Sequence, residues 1–427
     1  MRFLAKVALA LAAVAVATTI VVTVAAQEKQ PAPQQQQTDK RFQVQVTPEM
    51  VRHSRITETL YFVGLGYSLL MLFGILATGL SRRMRDTAVR ATKRPFVQAM
   101  LYVSLFVLVT TLLELPLSYY AGFVVPHQFD LSAQSLAGWL GDEAKGLALS
   151  LVLSAVVGAL ALLGIRKVKR WWLALWLGSI PLIVLLVVVQ PIILDPIFNK
   201  FEPLKDEQLR RDLLDLASRA GIEGSRVSQV NKSKQTKTMN AYVNGVGPTN
   251  RIVMWDTLLA KMNHDEIIAV MGHEMGHYVM KHIWKGLAFS LVVSFFVFFF
   301  AQRFSERGIA KWGAKWGVEN AADPAAVPWL LLVATIIGFF LSPVISGYSR
   351  SNEHDADMFS LELTHLNESM ATAFVKLAED SKQDPNPPAI IEFWRYSHPA
   401  ISKRIAFVLG YKPWEHGEPN RMWKTGK

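Results

Sequence analysis

Residues 60–80 read LYFVGLGYSLLMLFGILATGL, and residues 81–85 directly after them read SRRMR. The first stretch contains no charged residue. A helix needs about 20 predominantly apolar residues to cross the hydrocarbon core of a bilayer. The stretch therefore predicts a membrane-spanning helix. The arginines that follow predict a cytoplasmic end for it, because short cytoplasmic loops are enriched in Lys and Arg.

Apolar stretches of this kind recur along the chain. Five more are found at residues 96–117, 147–165, 172–194, 286–301 and 327–345. The mean hydropathy of +0.23 agrees with them. Six such stretches exclude a soluble protein and predict a polytopic membrane protein.

The charge and the cysteine count exclude several function classes. A net charge of +11 could favour nucleic-acid binding, but the basic clusters at 82–85, 93–94 and 166–170 directly flank apolar stretches. Such placement follows the positive-inside bias, so no nucleic-acid partner is expected. Because the chain has no cysteine, thiolate catalysis and Cys-ligated zinc are excluded, and any metal site must use His and carboxylate ligands.

The two ends of the chain differ in character from its middle. Residues 1–26 combine a basic head, an apolar stretch and a small-residue end, which fits either a secretory signal peptide or a first membrane helix. Residues 27–59 are a polar linker and a juxtamembrane segment. A four-helix membrane region is then expected at 60–194, a soluble catalytic domain at 195–285, two further membrane helices at 286–348, and a soluble tail at 349–427.

The segment 195–285 shows mixed periodicity. Helical spacing predicts a helix at 206–220 that ends at Gly221. Short apolar stretches predict strands at 227–230, 241–243 and 252–255, with turn residues at 244–248. Residues 265–284 are predicted to form one long helix. This pattern indicates a small β-sheet beside a helix.

Residues 273–277 within that helix read HEMGH. His273 and His277 are four positions apart, so both imidazoles lie on one helical face and can bind one metal ion. Glu274 is turned by about 100° from His273. Its carboxylate can contact a water on the metal and act as general base in peptide-bond hydrolysis. The alternative is two histidines on a solvated helix face.

A third ligand is expected downstream, where residues 349–357 read SRSNEHDAD. Glu353 and Asp357 share a helical face, and Glu353 would complete a His, His, Glu set that leaves one zinc position open. Asp357 could then accept the outer N–H of a ligand imidazole. An acidic helix start is the alternative reading. His354 is the rival ligand, although it points away from that face.

Together, HExxH and the later SRxxExxAD pattern resemble the type I CAAX prenyl proteases, the membrane zinc metalloendopeptidases that mature a-factor and prelamin. The similarity extends over about residues 60–409. Further matching stretches are FNKFEPL at 198–204, MNAY at 239–242, RIVMWDTLL at 251–259 and SHP at 397–399.

The resemblance implies roles for individual residues. It implies one Zn²⁺ bound by His273, His277 and Glu353, Glu274 as the base, and Asp357 behind the ligands. It also implies that His398 and Arg404 face the active site, where an imidazole could stabilise an oxyanion. His398 alone would be read as structural.

Substrate binding is also implied by the resemblance. Asn240, Ala241 and Tyr242 would form an edge strand along which an extended substrate lies, although an ordinary strand is equally compatible. His264 and His282 flank the metal-binding helix and are expected to be packing or capping residues.

The resemblance implies a mainly α-helical fold: about seven membrane helices forming a cage, with a gluzincin-like zinc metallopeptidase domain that contains a small β-sheet. The basic loops at 81–95 and 166–171 predict a catalytic domain on the periplasmic side of a bacterial inner membrane. The expected substrates are unfolded or membrane-associated polypeptides, lipidated ones included.

Two other functions compete with this interpretation. A membrane transporter or scaffold with an incidental HExxH would bind no zinc, and the scarcity of ionisable groups in the apolar stretches disfavours a transporter. A metal-binding regulator without hydrolysis would lack a base such as Glu274.

Overall fold

The computed structural model describes residues 39–222, 226–245 and 251–423. The predicted signal peptide or first membrane helix at 1–26, and the linker as far as residue 38, lie outside the described residues. All structural statements below refer to the described ranges.

The first half of the described chain is almost entirely helical. It contains α1 (Pro48–Ala77), the basic helix α2 (Leu80–Ala91), α3 (Pro95–Tyr119, continuing to Gln128), α4 (Leu136–Lys167) and α5 (Trp171–Val189). Among these, α1, α3 and α4 are long and apolar enough to cross a membrane, and α5 is a shorter apolar helix.

The soluble segment that follows is mixed. It contains β1 (Phe201–Pro203), α6 (Glu207–Arg219), β2 (Arg226–Val230), β3 (Ala241–Asn244), β4 (Arg251–Trp255), α7 (Asp256–Lys261) and α8 (His264–Val279). The three predicted strands and the predicted helix are confirmed to within about one residue, and Gly221 ends α6 with a φ of 77°. The short strand β1 was not predicted.

Four strands form one sheet in the order β1-β2-β4-β3. The central pair β2 and β4 is parallel, and the two outer pairs are antiparallel. Thus, among the strands that the structure describes, β3 is an edge strand and pairs only with β4. The buried side chains of Ile252 and Met254 in β4 anchor the sheet in a core that also contains Met271 and Met275 of α8.

Two long helices follow, α9 (His282–Trp316) and α10 (Val327–Thr364), and both have membrane-spanning length and composition. The most apolar 18 residues of α9 are not buried inside the protein, so their side chains require a hydrocarbon environment. The chain ends with α11 (Asn367–Asp380), α12 (Ala389–Arg395) and α13 (Ile401–Gly410). The predicted fold class, a polytopic α-helical membrane protein with a small β-sheet, is confirmed.

The prediction of one helix over 265–284 is wrong. Helix α8 begins at a capping box formed by Asn263 and Glu266 and ends at Val279. Lys281 then has a φ of 59°, a left-handed conformation that no α-helix can contain, and α9 starts at His282. The chain therefore changes direction just after the second motif histidine.

Helix α10 joins the membrane region to the soluble region without interruption. The boundary expected between 348 and 349 lies in the middle of this 38-residue helix, and Glu353 is well inside it. The alternative of an acidic helix start is therefore wrong. Glu353 therefore lies on the same helix as a membrane-spanning stretch.

Glycines allow α8 and α10 to pack closely. A Cβ atom added to Gly276 would lie 3.0 Å from the ring of Phe359, and one added to Gly272 would lie 2.8 Å from Ser360 Oγ. That hydroxyl also donates a 2.6 Å hydrogen bond to the carbonyl of Ala269. This close approach brings the carboxylates of α10 within reach of the histidines of α8.

Candidate metal centre

Side chains of His273 and His277 on α8 and Glu353 on α10 converge at one point. The Nε2 atoms of the two histidines are 3.1 Å apart. Glu353 Oε2 lies 3.4 Å from His273 Nε2, and Glu353 Oε1 lies 3.3 Å from His277 Nε2. These three residues, which we call the metal centre, form the one group of potential metal ligands found among the described residues.

The geometry of the metal centre fits a zinc ion. Two ligand atoms at about 2.1 Å from a tetrahedral ion are about 3.4 Å apart, close to all three separations above. Glu353 Oε2 is buried and forms no hydrogen bond within the described residues, as expected of an atom that serves as a ligand. Two nitrogens and a carboxylate oxygen are also ligand types that zinc prefers.

A carboxylate and a guanidinium group lie on the side of His273 that faces away from the metal centre. Asp357 Oδ1 lies 2.8 Å from His273 Nδ1, and the Asp357 side chain is 1% exposed. Arg404 of α13 binds the same carboxylate through two hydrogen bonds of 2.6 and 2.9 Å. Arg404 Nη1 also lies 3.5 Å from Glu353 Oε2. The structure therefore places Arg404 behind the metal centre, with its donors directed at protein carboxylates.

The charges around His273 affect its protonation in the metal-free protein. Burial lowers the pKa of His273, but the carboxylates of Asp357 and Glu353 more than offset this effect and raise the pKa to about 10. Burial also raises the pKa of Glu274, against the opposing effect of His273 and His277. The pKa of His273 is therefore raised by its two carboxylate neighbours, whereas the pKa of Glu274 is raised chiefly by burial.

A cavity of about 560 Å³ opens onto the metal centre. Glu274 lines it together with His273 and Glu353, as the one-residue offset in the HExxH motif predicts. His398 also lines the cavity, with its Nε2 atom 3.3 Å from Glu353 Oε2 and its side chain 57% exposed. Thus the predicted base and the predicted oxyanion residue both reach the cavity.

The sheet edge also borders this cavity. Asn240 and Ala241 are lining residues, whereas Tyr242 is not among them. Along β3 the side chains alternate: Ala241 is buried, and Tyr242 is partly buried and opposite Val253 of β4. Arg404, the fourth residue predicted to bind substrate, also lines the cavity, so the structure brings three of these four residues to the site.

The remaining histidines near the motif have different partners. His264 Nε2 lies 2.9 Å from Asp212 of α6, so its predicted structural role fits. His354 packs its ring 4.3 Å from that of Phe407, away from the metal centre, as expected. His282 was also expected to be a packing residue, but its Nδ1 atom is 2.9 Å from His277 Nδ1. No sequence signal had linked His282 to a ligand.

Apolar helices of membrane-spanning length, an HExxH helix and a glutamate from an adjacent helix define a membrane-embedded zinc metallopeptidase. Comparison with protein families agrees. A model of peptidase family M48 matches residues 203–412, and a model of the N-terminal domain of CAAX prenyl proteases, described as five membrane helices, matches residues 23–200. The chain belongs to peptidase family M48.

Known relatives support the same assignment. An uncharacterized metalloprotease of Bacillus subtilis, YhfN, is 36% identical over 83% of each chain. CAAX prenyl protease 1 of Saccharomyces cerevisiae is 27% identical over 72% of this chain and 71% of its own length. The crystal structure of Ste24p from S. mikatae has the same fold, with a TM-score of 0.79 and 22% identity over 93% of this chain and 96% of that one. These matches support an enzyme and not a transporter or scaffold.

Proposed function

We propose that this protein is an endopeptidase in which His273, His277 and Glu353 hold one zinc ion and Glu274 is the general base. The supporting observation is the set of ligand separations, 3.1 to 3.4 Å, beside a cavity that Glu274 lines. Zinc bound there supplies a Lewis acid that lowers the pKa of water to about 7. Glu274 takes the proton of the attacking water and returns it to the leaving amine.

His398 and the charged pair behind the metal centre have separate roles in this proposal. His398, in the cavity wall beside Glu353, donates a hydrogen bond to the oxygen of the peptide carbonyl as negative charge develops on it. Asp357 accepts a hydrogen bond from the Nδ1–H group of His273 and so holds Nε2 toward the metal. Arg404 neutralises and orients Asp357. Its buried, bidentate pairing favours this positioning role over direct substrate binding.

The substrate lies extended along the edge strand β3. Its backbone pairs with the outer edge of β3 beginning at Ala241, next to Asn240 in the cavity wall, and this pairing brings the scissile bond to Glu274. Because backbone pairing tolerates many side chains, we propose a broad endopeptidase that acts on unfolded or membrane-associated polypeptides, including lipidated ones. Similarity to CAAX prenyl protease 1 supports the lipidated class.

The catalytic domain is proposed to lie on the periplasmic side of a bacterial inner membrane. The backbone carbonyl of Lys169 accepts a hydrogen bond from the side chain of Gln302 on α9. Gln302 lies about 20 residues after His282, which corresponds to about 30 Å along the helix. The basic helix α2 binds the far end of α9, where Arg85 donates to the carbonyl of Gly317. Short basic loops thus lie about one hydrocarbon thickness or more from the metal centre, and such loops remain cytoplasmic.

The catalytic proposal is tested with Glu274→Ala in purified, detergent-solubilised protein. We expect the variant to keep one zinc per chain and to lose casein cleavage by at least about a hundredfold, because general-base catalysis contributes that much or more. Glu306→Ala, an exposed glutamate on α9, is the control and should leave both quantities unchanged. Normal casein cleavage by Glu274→Ala would contradict the assigned base.

Substrate range and orientation need separate measurements. Cleavage of casein and of a farnesylated peptide is expected, and cleavage confined to the farnesylated peptide would contradict the broad substrate range. Because the chain has no cysteine, single-cysteine variants report orientation directly. Lys205→Cys should react with an impermeant maleimide in intact cells, and Arg83→Cys only after permeabilisation. The reverse pattern would contradict the periplasmic placement.

A further inference from the structure

The metal ligand His277 has a side-chain partner on its outer nitrogen. His277 Nε2 points to the metal centre, 3.1 Å from His273 Nε2, while His277 Nδ1 lies 2.9 Å from His282 Nδ1. The two rings are 5.0 Å apart at an interplanar angle of 69°, so they meet edge to face and do not stack. This arrangement directs a lone pair of one ring at the N–H of the other.

The direction of this hydrogen bond follows from the chemistry of a ligand imidazole. A neutral imidazole that binds a metal through Nε2 carries its proton on Nδ1. His277 Nδ1 is then the donor, and His282 Nδ1 must be the acceptor, so the proton of His282 is on Nε2. That Nε2 atom is buried and has no hydrogen-bond partner within the described residues.

An unpaired buried N–H is costly, because a polar group loses its water without compensation. An apolar side chain would fill this place without that cost if packing were the only requirement. The backbone adds a second cost, since Lys281 has a φ of 59°, a left-handed conformation that non-glycine residues rarely adopt. This conformation turns the first residue of α9 back toward α8.

We propose that His282 is a positioning residue for the metal centre: it fixes the tautomer and the ring orientation of His277 by accepting the hydrogen bond from its outer nitrogen. This inference rests on the ligand role proposed for His277. The two motif histidines are then held by different partners, His273 by the Asp357 carboxylate and His277 by a neutral imidazole. The second partner is the first residue of the membrane helix α9.

Three substitutions separate hydrogen bonding from packing. His282→Ala removes the ring and the acceptor. His282→Phe keeps an aromatic ring in the same place but removes the acceptor. His282→Asn places an amide oxygen close to the position of Nδ1 and keeps an acceptor. His264→Ala, at the other end of α8, is the matched control, because His264 pairs with Asp212 and not with a ligand.

The readout is the zinc dissociation constant, measured by chelator competition on metal-free protein in detergent. We expect His282→Ala and His282→Phe to raise this constant by about 10- to 100-fold, the usual effect of removing the partner of a metal-binding histidine. His282→Asn should remain within about threefold of the wild type, as should His264→Ala. The visible spectrum of the cobalt-substituted protein should change in the Phe variant and be restored in the Asn variant.

Several outcomes would overturn the inference. Wild-type zinc affinity in His282→Phe would show that the ring only packs, and equal loss in the Asn and Ala variants would show that the acceptor is not needed. Either result leaves the ligand assignment intact. If the wild-type protein itself takes up no zinc, the proposed function fails first.

Discussion

Zinc affinity is predicted to depend steeply on pH even above neutrality. In the metal-free protein the pKa of His273 is raised to about 10, because the carboxylates of Asp357 and Glu353 more than offset the effect of burial. A protonated imidazole cannot bind zinc, so each zinc ion that binds must displace the His273 proton. This requirement holds at every pH below the raised pKa.

The size of the effect follows from the position of that pKa. Below it, the loss of one proton on binding strengthens apparent affinity about tenfold per pH unit. Between about pH 7.5 and 8.5 the zinc dissociation constant should therefore fall about tenfold. With an ordinary histidine pKa of about 6.5, the same interval would change it only about 1.1-fold. The two cases differ by almost an order of magnitude.

The assay is chelator competition at both pH values, with the chelator calibrated at each. Calorimetry in buffers of different ionisation enthalpy should show at least one proton released per zinc ion at about pH 7.5. Asp357→Asn removes one of the two carboxylates that stabilise protonated His273 and should reduce the pH dependence. A wild-type affinity that is equal at the two pH values would refute the proposed electrostatics of the metal centre.

Three further substitutions test the packing of the membrane and metal-binding helices and the buried ion pair of Arg404. Gly276→Ala places a Cβ atom 3.0 Å from the ring of Phe359. We expect the free energy of unfolding to fall by about 1–3 kcal/mol and zinc binding to weaken. An unchanged midpoint of thermal unfolding would contradict the close contact of α8 and α10. Gly308 lies on α9 far from the metal centre, and Gly308→Ala places a Cβ atom 2.2 Å from the indole of Trp329. This change should lower the midpoint of thermal unfolding without changing zinc affinity. Arg404→Met removes the guanidinium partner of buried Asp357 and leaves this carboxylate with His273 alone, so we expect a loss of about 3–5 kcal/mol in the free energy of unfolding. A loss below about 1 kcal/mol would show that the pair is unimportant.

Local features of the site could be predicted from the sequence. His273 and His277 are four positions apart on one helix, as are Glu353 and Asp357, and helical geometry alone fixes which of these side chains share a face. The structure keeps both pairs on the predicted faces and brings them together. Strands β2, β3 and β4 were also predictable, because apolar stretches and turn residues mark their bounds, whereas β1 was not.

Features that depend on distant contacts could not be predicted. The end of α8 at Val279 depends on a left-handed Lys281, a conformation that the sequence gives no reason to expect at a lysine. Without that break, His282 would continue the helix and could not turn back to His277. Similarly, Arg404 was expected to face the active site, and it does line the cavity, but only the packing of α13 against α10 shows that it pairs with Asp357.

The central claim is that one zinc ion is held by two imidazoles from α8 and one carboxylate from α10. Its most direct test is the metal content of gently purified protein, measured by mass spectrometry beside a Glu353→Ala variant that has the same secondary structure by circular dichroism. We expect one zinc ion per wild-type chain and less than about one tenth in the variant, because two ligands alone hold zinc weakly. A wild-type chain that stays empty when zinc is supplied, or a variant that keeps a full ion, would contradict the account.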